Sequence, residues 1–296
     1  MGIDGILLID KWSGWTSHDV VARARRLTGQ RKIGHTGTLD PMATGLLVLC
    51  LGKATRMVEY MTRHDKRYVG TIALGATTTT DDAEGEVVEK RPVPWMGDGE
   101  LRELEWRFTG ELRQRPPAFS AVKVAGQRSY AVARRGGTPV LEERPVRVDE
   151  LVLKVAGPGE LAIEVQCGPG TYVRSLARDI GEALGCGAHL AALRRTVCGA
   201  FTIENAVTLD ALEGLVAAGE LEASLLAPDE GLRDAGAAVV TVERGKQLRQ
   251  GMMLAPLAAG MRPAAVARAY DTGGAFLGVA AVDAGGQIRP VKMFPG

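Results

Sequence analysis

The chain opens on an apolar run, Gly5 to Ile9, closed by Asp10-Lys11. A run of that length bounded by polar residues predicts a strand. The segment W-S-G-W-T-S then turns the chain. Val20, Val21, Ala24 and Leu27 recur at helical spacing, with Arg23, Arg25 and Arg26 mostly off that face. Ser17 is expected as the N-cap of this helix and Gly29 as its stop, with Asp19 in the first turn where the helix dipole favours a negative charge. Lys32 to Gly45 has no period and predicts a loop. Leu46–Leu51 and Tyr68–Leu74 predict strands, Thr77–Gly85 a polar loop and Leu101–Phe108 a short helix. Val146–Val155 and Leu161–Gln166 predict strands joined by a G-P-G-E turn. Leu176, Ile180 and Leu184 share a helical face ending at Gly185. From about Gly236 the texture changes. Val239–Val242, Ala264–Tyr270 and Phe276–Val282 alternate with glycine turns, which predicts a small β domain after a linker near Pro228–Ala235.

Composition adds bounds to this pattern. The 296 residues are 46% apolar and 24% charged, enough for one large domain or one with a small companion. The longest apolar run near the motifs is strand-sized, so no membrane span is expected. The N-terminus lacks the basic and small-residue segments of a signal peptide. The four cysteines form no C-x-x-C pair. A cytoplasmic protein with reduced thiols, no disulfide framework and no zinc site is therefore expected.

The net charge is only +1, but it is unevenly spread. Residues 1–80 carry 11 Lys/Arg against 6 Asp/Glu, residues 81–112 carry 4 against 10, and residues 113–147 carry 8 against 2. Two basic blocks could form the positive stripe that a phosphate backbone needs, or could be ordinary surface fluctuation. The basic segment 113–147, with Pro116-Pro117 and Gly136-Gly137 and little periodicity, reads as a functional arm or as a solvated loop.

Candidate chemistry concentrates in G-H-T-G-T-L-D-P-M-A-T-G, Gly34 to Gly45. Asp40 precedes Pro41, which biases Asp40 to an extended backbone, so its carboxylate can project from the loop. A lone Asp-Pro more often reads as a turn, and the density of glycine, threonine and histidine around it weakens that reading without defeating it. A phosphate loop at Gly52-Lys53 fails, because the required glycine and hydroxyl positions hold Leu47 and Ala54. The four histidines lack metal-ligand spacing, and there is no G-x-S-x-G. Carboxylate chemistry is what remains.

The run from Gly34 to Arg56 resembles the catalytic motif of the bacterial tRNA pseudouridine-55 synthases, the TruB family. D-K-R-Y (Asp65–Tyr68), C-G-P-G-T-Y-V-R-S-L-A-R-D (Cys167–Asp179) and H-L-A-A-L-R-R (His189–Arg195) resemble three further motifs in the same order. One departure is Pro169, where members often carry a polar or basic residue. The similarity runs from Gly5 to about Leu226. It implies an α+β fold, a mixed and largely antiparallel sheet flanked by helices, over residues 1–232. A small β-barrel-like PUA domain is implied over 236–296, and the insert 113–147 becomes an RNA-gripping thumb. It also implies that Asp40 is the catalytic carboxylate, that Arg174 pairs with and orients it, and that Tyr68 stacks on the uracil. Tyr172 lines the pocket and Leu193 walls it. His35 fills the space left by a flipped base, and Lys123, Arg128, Arg134 and Arg135 are candidates for phosphate contacts, each also readable as a solvated charge. The partner implied is the T-stem-loop of tRNA, with no cofactor, no metal, and a monomer needing no protein partner. Two rivals use the same features: a non-catalytic tRNA-binding or chaperone module, which does not need Asp40, and a guide-RNA-dependent enzyme, which the lack of a long basic tail disfavours.

Overall fold

The computed structural model describes residues 2–120, 122–124, 126–133, 135, 137, 139–256 and 263–295. Its centre is a nine-stranded sheet. In chain order the strands are β1 (Gly5–Lys11), β2 (Ile33–His35), β3 (Thr44–Leu51), β4 (Lys66–Leu74), β5 (Gly110–Gln114), β6 (Arg144–Gly157), β7 (Glu160–Cys167), β8 (Ala188–Cys198) and β9 (Phe201–Thr202). In space they run β1-β3-β8-β4-β7-β6-β5, with β2 on β3 and β9 on β8. Every pairing is antiparallel except β3 with β8, where Thr44 faces Arg194 and Gly45 faces Arg195. The expected mixed, largely antiparallel α+β sheet is present.

β1 and β3 read as unbroken apolar runs because both of their faces are covered. Leu7, Ile9, Leu47, Leu49 and Leu51 pack on one side with Val20, Val21 and Ala24 of helix α1 (Ser17–Thr28). Ile6, Leu8, Leu46, Val48 and Cys50 pack on the other with Met57, Met61 and Leu232. The period-2 alternation thus sorts one continuous run into two cores. At the parallel crossing Gly45 has φ +97, and a Cβ there would stand 2.3 Å from the Arg195 carbonyl oxygen. Only glycine lets the two backbones meet at this point.

Three local expectations are corrected. Thr16, not Ser17, caps α1: its Oγ1 accepts from Asp19 N at 3.1 Å, and Asp19 Oδ2 accepts from Thr16 N at 2.9 Å, a reciprocal capping box. Ser17 is buried within the first turn, and its hydroxyl is given to the loop before β3. The stretch read as a loop from Lys32 contains β2, an apolar-poor strand too short to show a period. The strand expected over Val239–Val242 ends at Val240, because Thr241 caps a helix, Val242–Arg249. Gly29 closes α1 in the left-handed region as expected.

Helices Asp98–Arg107, Val173–Ala183 and Leu209–Ala218, here α2, α3 and α4, flank the sheet, and Val242–Arg249 is α5. The C-terminal strands β10 (Gly236–Val240), β11 (Ala264–Asp271), β12 (Phe276–Val282) and β13 (Ile288–Met293) pair in that order as a separate four-stranded sheet. Among the described residues this sheet is open and not closed into a barrel. Its Val279 and Phe294 join the core behind β1 and β3. No helix among the described residues is long and apolar enough to cross a membrane.

Candidate active site

Asp40 sits in the loop between β2 and β3, and the chain around it is pinned on several sides. The Ser17 hydroxyl accepts from Leu39 N at 2.9 Å and contacts Leu39 O at 3.2 Å. Gly14 N donates to Pro41 O at 2.9 Å. Lys11, at the buried end of β1, donates from Nζ to the carbonyls of Trp12 (2.9 Å), Trp15 (2.6 Å) and Pro41 (3.1 Å). Burial pushes the Lys11 ammonium down to about 8, against the opposing pull of Asp40 and Glu84. A cation is thus held under the loop by backbone dipoles.

Arg174 approaches from the first turn of α3. Its Nη2 donates to Asp40 Oδ1 at 3.0 Å, and its Nε lies 2.9 Å from Oδ2, off the line of a good hydrogen bond. The fork grips both carboxylate oxygens. Arg174 is 4% exposed and Asp40 33%, so the carboxylate reaches open space while its partner is sealed. The other side of the guanidinium is also satisfied. Nη1 meets Asp82 Oδ2 at 3.3 Å and Thr80 O at 3.0 Å, and Nη2 also donates to Phe119 O at 3.1 Å. Asp82 is itself buried and is fixed by Thr80 Oγ1 (2.5 Å) and Glu84 N (3.0 Å). The core of the site is therefore a row, Asp40–Arg174–Asp82. The start of α3 is set by Gln114 of β5, whose amide exchanges hydrogen bonds with Tyr172 N (2.8 Å) and Tyr172 O (3.1 Å). This places Tyr172 next to Arg174 and Asp40, and burial raises its phenol pKa while Ser120 and Arg174 oppose the rise.

Tyr68 of β4 lies across from Arg195 of β8, and Gly70 lies across from Leu193. Direct cross-strand partners share a face, so phenol and leucine line the same side of the sheet. Burial pushes the Tyr68 phenol up to about 12, with Arg195 pulling it back. At neutral pH Tyr68 is a neutral phenol. His35 of β2 is half-buried and stacks edge-on with His18 at 5.8 Å between ring centroids. Burial, then His18 and Arg195, lower its pKa, and its Nδ1 has no partner among the described residues.

Of the residues singled out from sequence, Asp40 and Arg174 meet directly and Tyr172 lies near enough for its phenol to feel both charges, while Tyr68 and Leu193 share one face of the sheet and His35 ends the strand that leads into the loop. Arg135 lies in the insert, exposed, with Nη2 on Gln127 Oε1 at 2.9 Å. Arg134 and the side chains of Lys123 and Arg128 lie outside the described residues. The insert is less free in charge than its sequence sum, because Arg113 and Arg115 face Glu143 and Arg147 faces Asp65 and Asp149. Sequence reasoning missed Lys11, Asp82, Gln114 and Arg195. Asp82 had a faint signal, two aspartates after four threonines. Lys11 and Gln114 carried none.

The comparisons with known proteins bear on this arrangement. The model of the TruB family pseudouridylate synthase N-terminal domain matches residues 25–173, and that of the tRNA pseudouridylate synthase B C-terminal domain matches residues 174–235. The chain belongs to the TruB family. Among curated TruB relatives, tRNA pseudouridine synthase B of Arthrobacter sp. (strain FB24) is 42% identical over 99% of this chain and 97% of its own length. The protein of that name from Thermobifida fusca (strain YX) is 51% identical over 71% of this chain and 74% of its own. Among solved structures, a chain from a crystal structure of a Cbf5-Nop10-Gar1 complex superposes with a TM-score of 0.76 at 24% identity, covering 98% of this chain and 85% of that one. At that identity the likeness carries the fold. As a TruB-family member the chain is an enzyme of the isomerase class.

Proposed function

We propose that this enzyme converts uridine to pseudouridine in tRNA, at position 55 of the T-loop, with Asp40 as the catalytic carboxylate. The observation that carries the reading is the Arg174 fork, which presents a part-exposed Asp40 from a sealed, doubly paired base. The N1–C1′ bond breaks, the uracil turns, and a C5–C1′ bond forms. The C5 proton leaves and N1 ends protonated, so no redox partner or group donor is consumed. Asp40 acts at the sugar, as nucleophile at C1′ or as base for the 2′ hydrogen. Tyr68 enters as a neutral phenol, suited to stacking on the base, and removing the C5 proton through it requires a concerted acceptor. Tyr172 and Leu193 enclose the base, and His35 takes the space it vacates on flipping. Residues 1–232 form the catalytic unit, 113–147 grip the RNA with Lys123, Arg128, Arg134 and Arg135, and 236–296 serve as a PUA-like RNA-binding unit. The enzyme works in the cytoplasm as a monomer, with no protein partner, no metal and no cofactor.

The test is pseudouridine mapping on an unmodified tRNA transcript with purified wild-type and Asp40→Asn protein. Modification at position 55 by the wild type, abolished by Asp40→Asn with tRNA binding intact, is expected. Activity surviving in Asp40→Asn refutes the role of Asp40, and binding without modification by the wild type identifies a tRNA-binding module.

A further inference from the structure

Arg195 lies at the parallel junction of β3 and β8 and is 1% exposed. A guanidinium does not shed its charge, so sealing it from water costs several kcal/mol unless fixed partners replace the water. Its hydrogen bonds go to backbone. Nε donates to Leu46 O at 2.7 Å and Nη2 to Gly37 O at 3.1 Å. Gly37 precedes Asp40 and Leu46 follows it, so one planar group holds the chain on both sides of the candidate carboxylate. The Tyr68 hydroxyl interacts with the same guanidinium, and Tyr68 is the direct cross-strand partner of Arg195. Nη1 has no hydrogen-bond partner among the described residues, which leaves a donor free on a fully buried side chain. The charge is also felt at Lys11, His35 and Lys66, which places it among the groups around the catalytic loop. An apolar side chain of the same volume would fill the space without the desolvation cost. What it could not do is bind two carbonyls on opposite flanks of one loop.

We propose that Arg195 is a positioning residue, a buried guanidinium that holds the chain on both sides of Asp40 and braces Tyr68, and so sets the separation of carboxylate and phenol across the reacting base. The proposal rests on Asp40 and Tyr68 having the roles given above. Arg195 itself touches no substrate. Its effect is transmitted through the loop carbonyls and the Tyr68 hydroxyl.

The experiment uses the full chain and compares wild type with Arg195→Met, Arg195→Lys and Arg195→Ala, with Asp40→Asn as control. Thermal midpoint, tRNA dissociation constant and single-turnover rate are measured for each across pH, with and without added methylguanidinium. Arg195→Met is expected to keep its midpoint and tRNA affinity and to lose about 100-fold in single-turnover rate, the scale of an ångström-sized misplacement. Arg195→Lys should fall between, and methylguanidinium should restore part of the rate to Arg195→Ala. Full rate in folded Arg195→Met overturns the proposal. So does a loss that tracks unfolding in all three variants, with no rescue. Failure of the underlying reading looks different: wild type then forms no pseudouridine, or Asp40→Asn retains it.

Discussion

Changing Asp82 to Asn removes one charge from the Asp40–Arg174–Asp82 row and leaves the side-chain shape in place. Arg174 and Asp82 are each 4% exposed with 3.3 Å between Nη1 and Oδ2, so water does little to screen them. Two unit charges about 4 Å apart attract by about 4 kcal/mol at an effective dielectric near 20. Deleting one partner of a buried pair costs about 3–5 kcal/mol. Asn keeps an acceptor for Thr80 and Glu84 N, so Asp82→Asn is expected to cost about 2–4 kcal/mol, or roughly 5–10 °C in thermal midpoint. The second effect is on the reaction. With Asp82 neutral, the guanidinium is drawn towards Asp40 alone, and the fork rotates off both oxygens. A carboxylate displaced by about an ångström loses on the order of 100-fold in rate. Circular dichroism melts report the first effect, and single-turnover release of tritium from C5-labelled uridine in tRNA reports the second. A melt and a rate both unchanged from wild type would refute the coupling of Asp82 to Asp40 through Arg174.

Lys11 gives opposite signs for stability and rate. Its folded pKa is pushed down from 10.5 to about 8. Between those values the unfolded chain binds the extra proton and the native state does not, so stability rises with pH across that window. The rise, at most about 3 kcal/mol, should vanish from urea midpoints of Lys11→Met, while the wild-type rate falls above pH 8 as the cation under the loop is lost. Gly45→Ala should cost roughly 3–5 kcal/mol from backbone strain and overpacking together. Gly14→Ala, also at positive φ but with nothing within 4 Å, is the control and should lose much less; equal thermal midpoints for the two would contradict the close crossing. Burial pushes the Cys50 thiol to about 12 and the Cys167 thiol to about 11, so Ellman's reagent should label neither in the native protein and both after denaturation. Rapid native labelling of either would show that its surroundings open to solvent.

Of the strands that frame the site, β1, β3 and β4 were legible because they carry their apolar residues in strand-length runs or alternate them, whereas β8, with its paired arginines and mixed burial, was not predicted as a strand. Asp40, Arg174 and Tyr68 were legible only through motif resemblance, since residue physics alone left Asp40 as a possible turn. Asp82 was hidden because a polar loop gives no sign of which carboxylate will be buried 92 residues upstream of its arginine. Lys11 was hidden for a related reason. A lysine ending a strand is normally solvated, and only three converging carbonyls keep this one inside. Ser17 was assigned to the wrong partner because Thr16 and Ser17 are both good caps, and the choice was made by Leu39, which takes the second hydroxyl.

The order β1-β3-β8-β4 has a consequence for synthesis of the chain. Strands β3 and β4 are made early, yet they do not pair with each other; β8 enters between them. Until residue 198 has left the ribosome, the nascent chain carries two unpaired strand edges, and the Asp40 loop lacks its far wall. Arg174, 134 residues after Asp40, arrives late as well. Such long-range closure makes folding slow, with edges exposed to misassociation meanwhile. It also means that a truncated translation product ending before residue 174 has the carboxylate but neither the Arg174 fork nor the Arg195 brace that hold it.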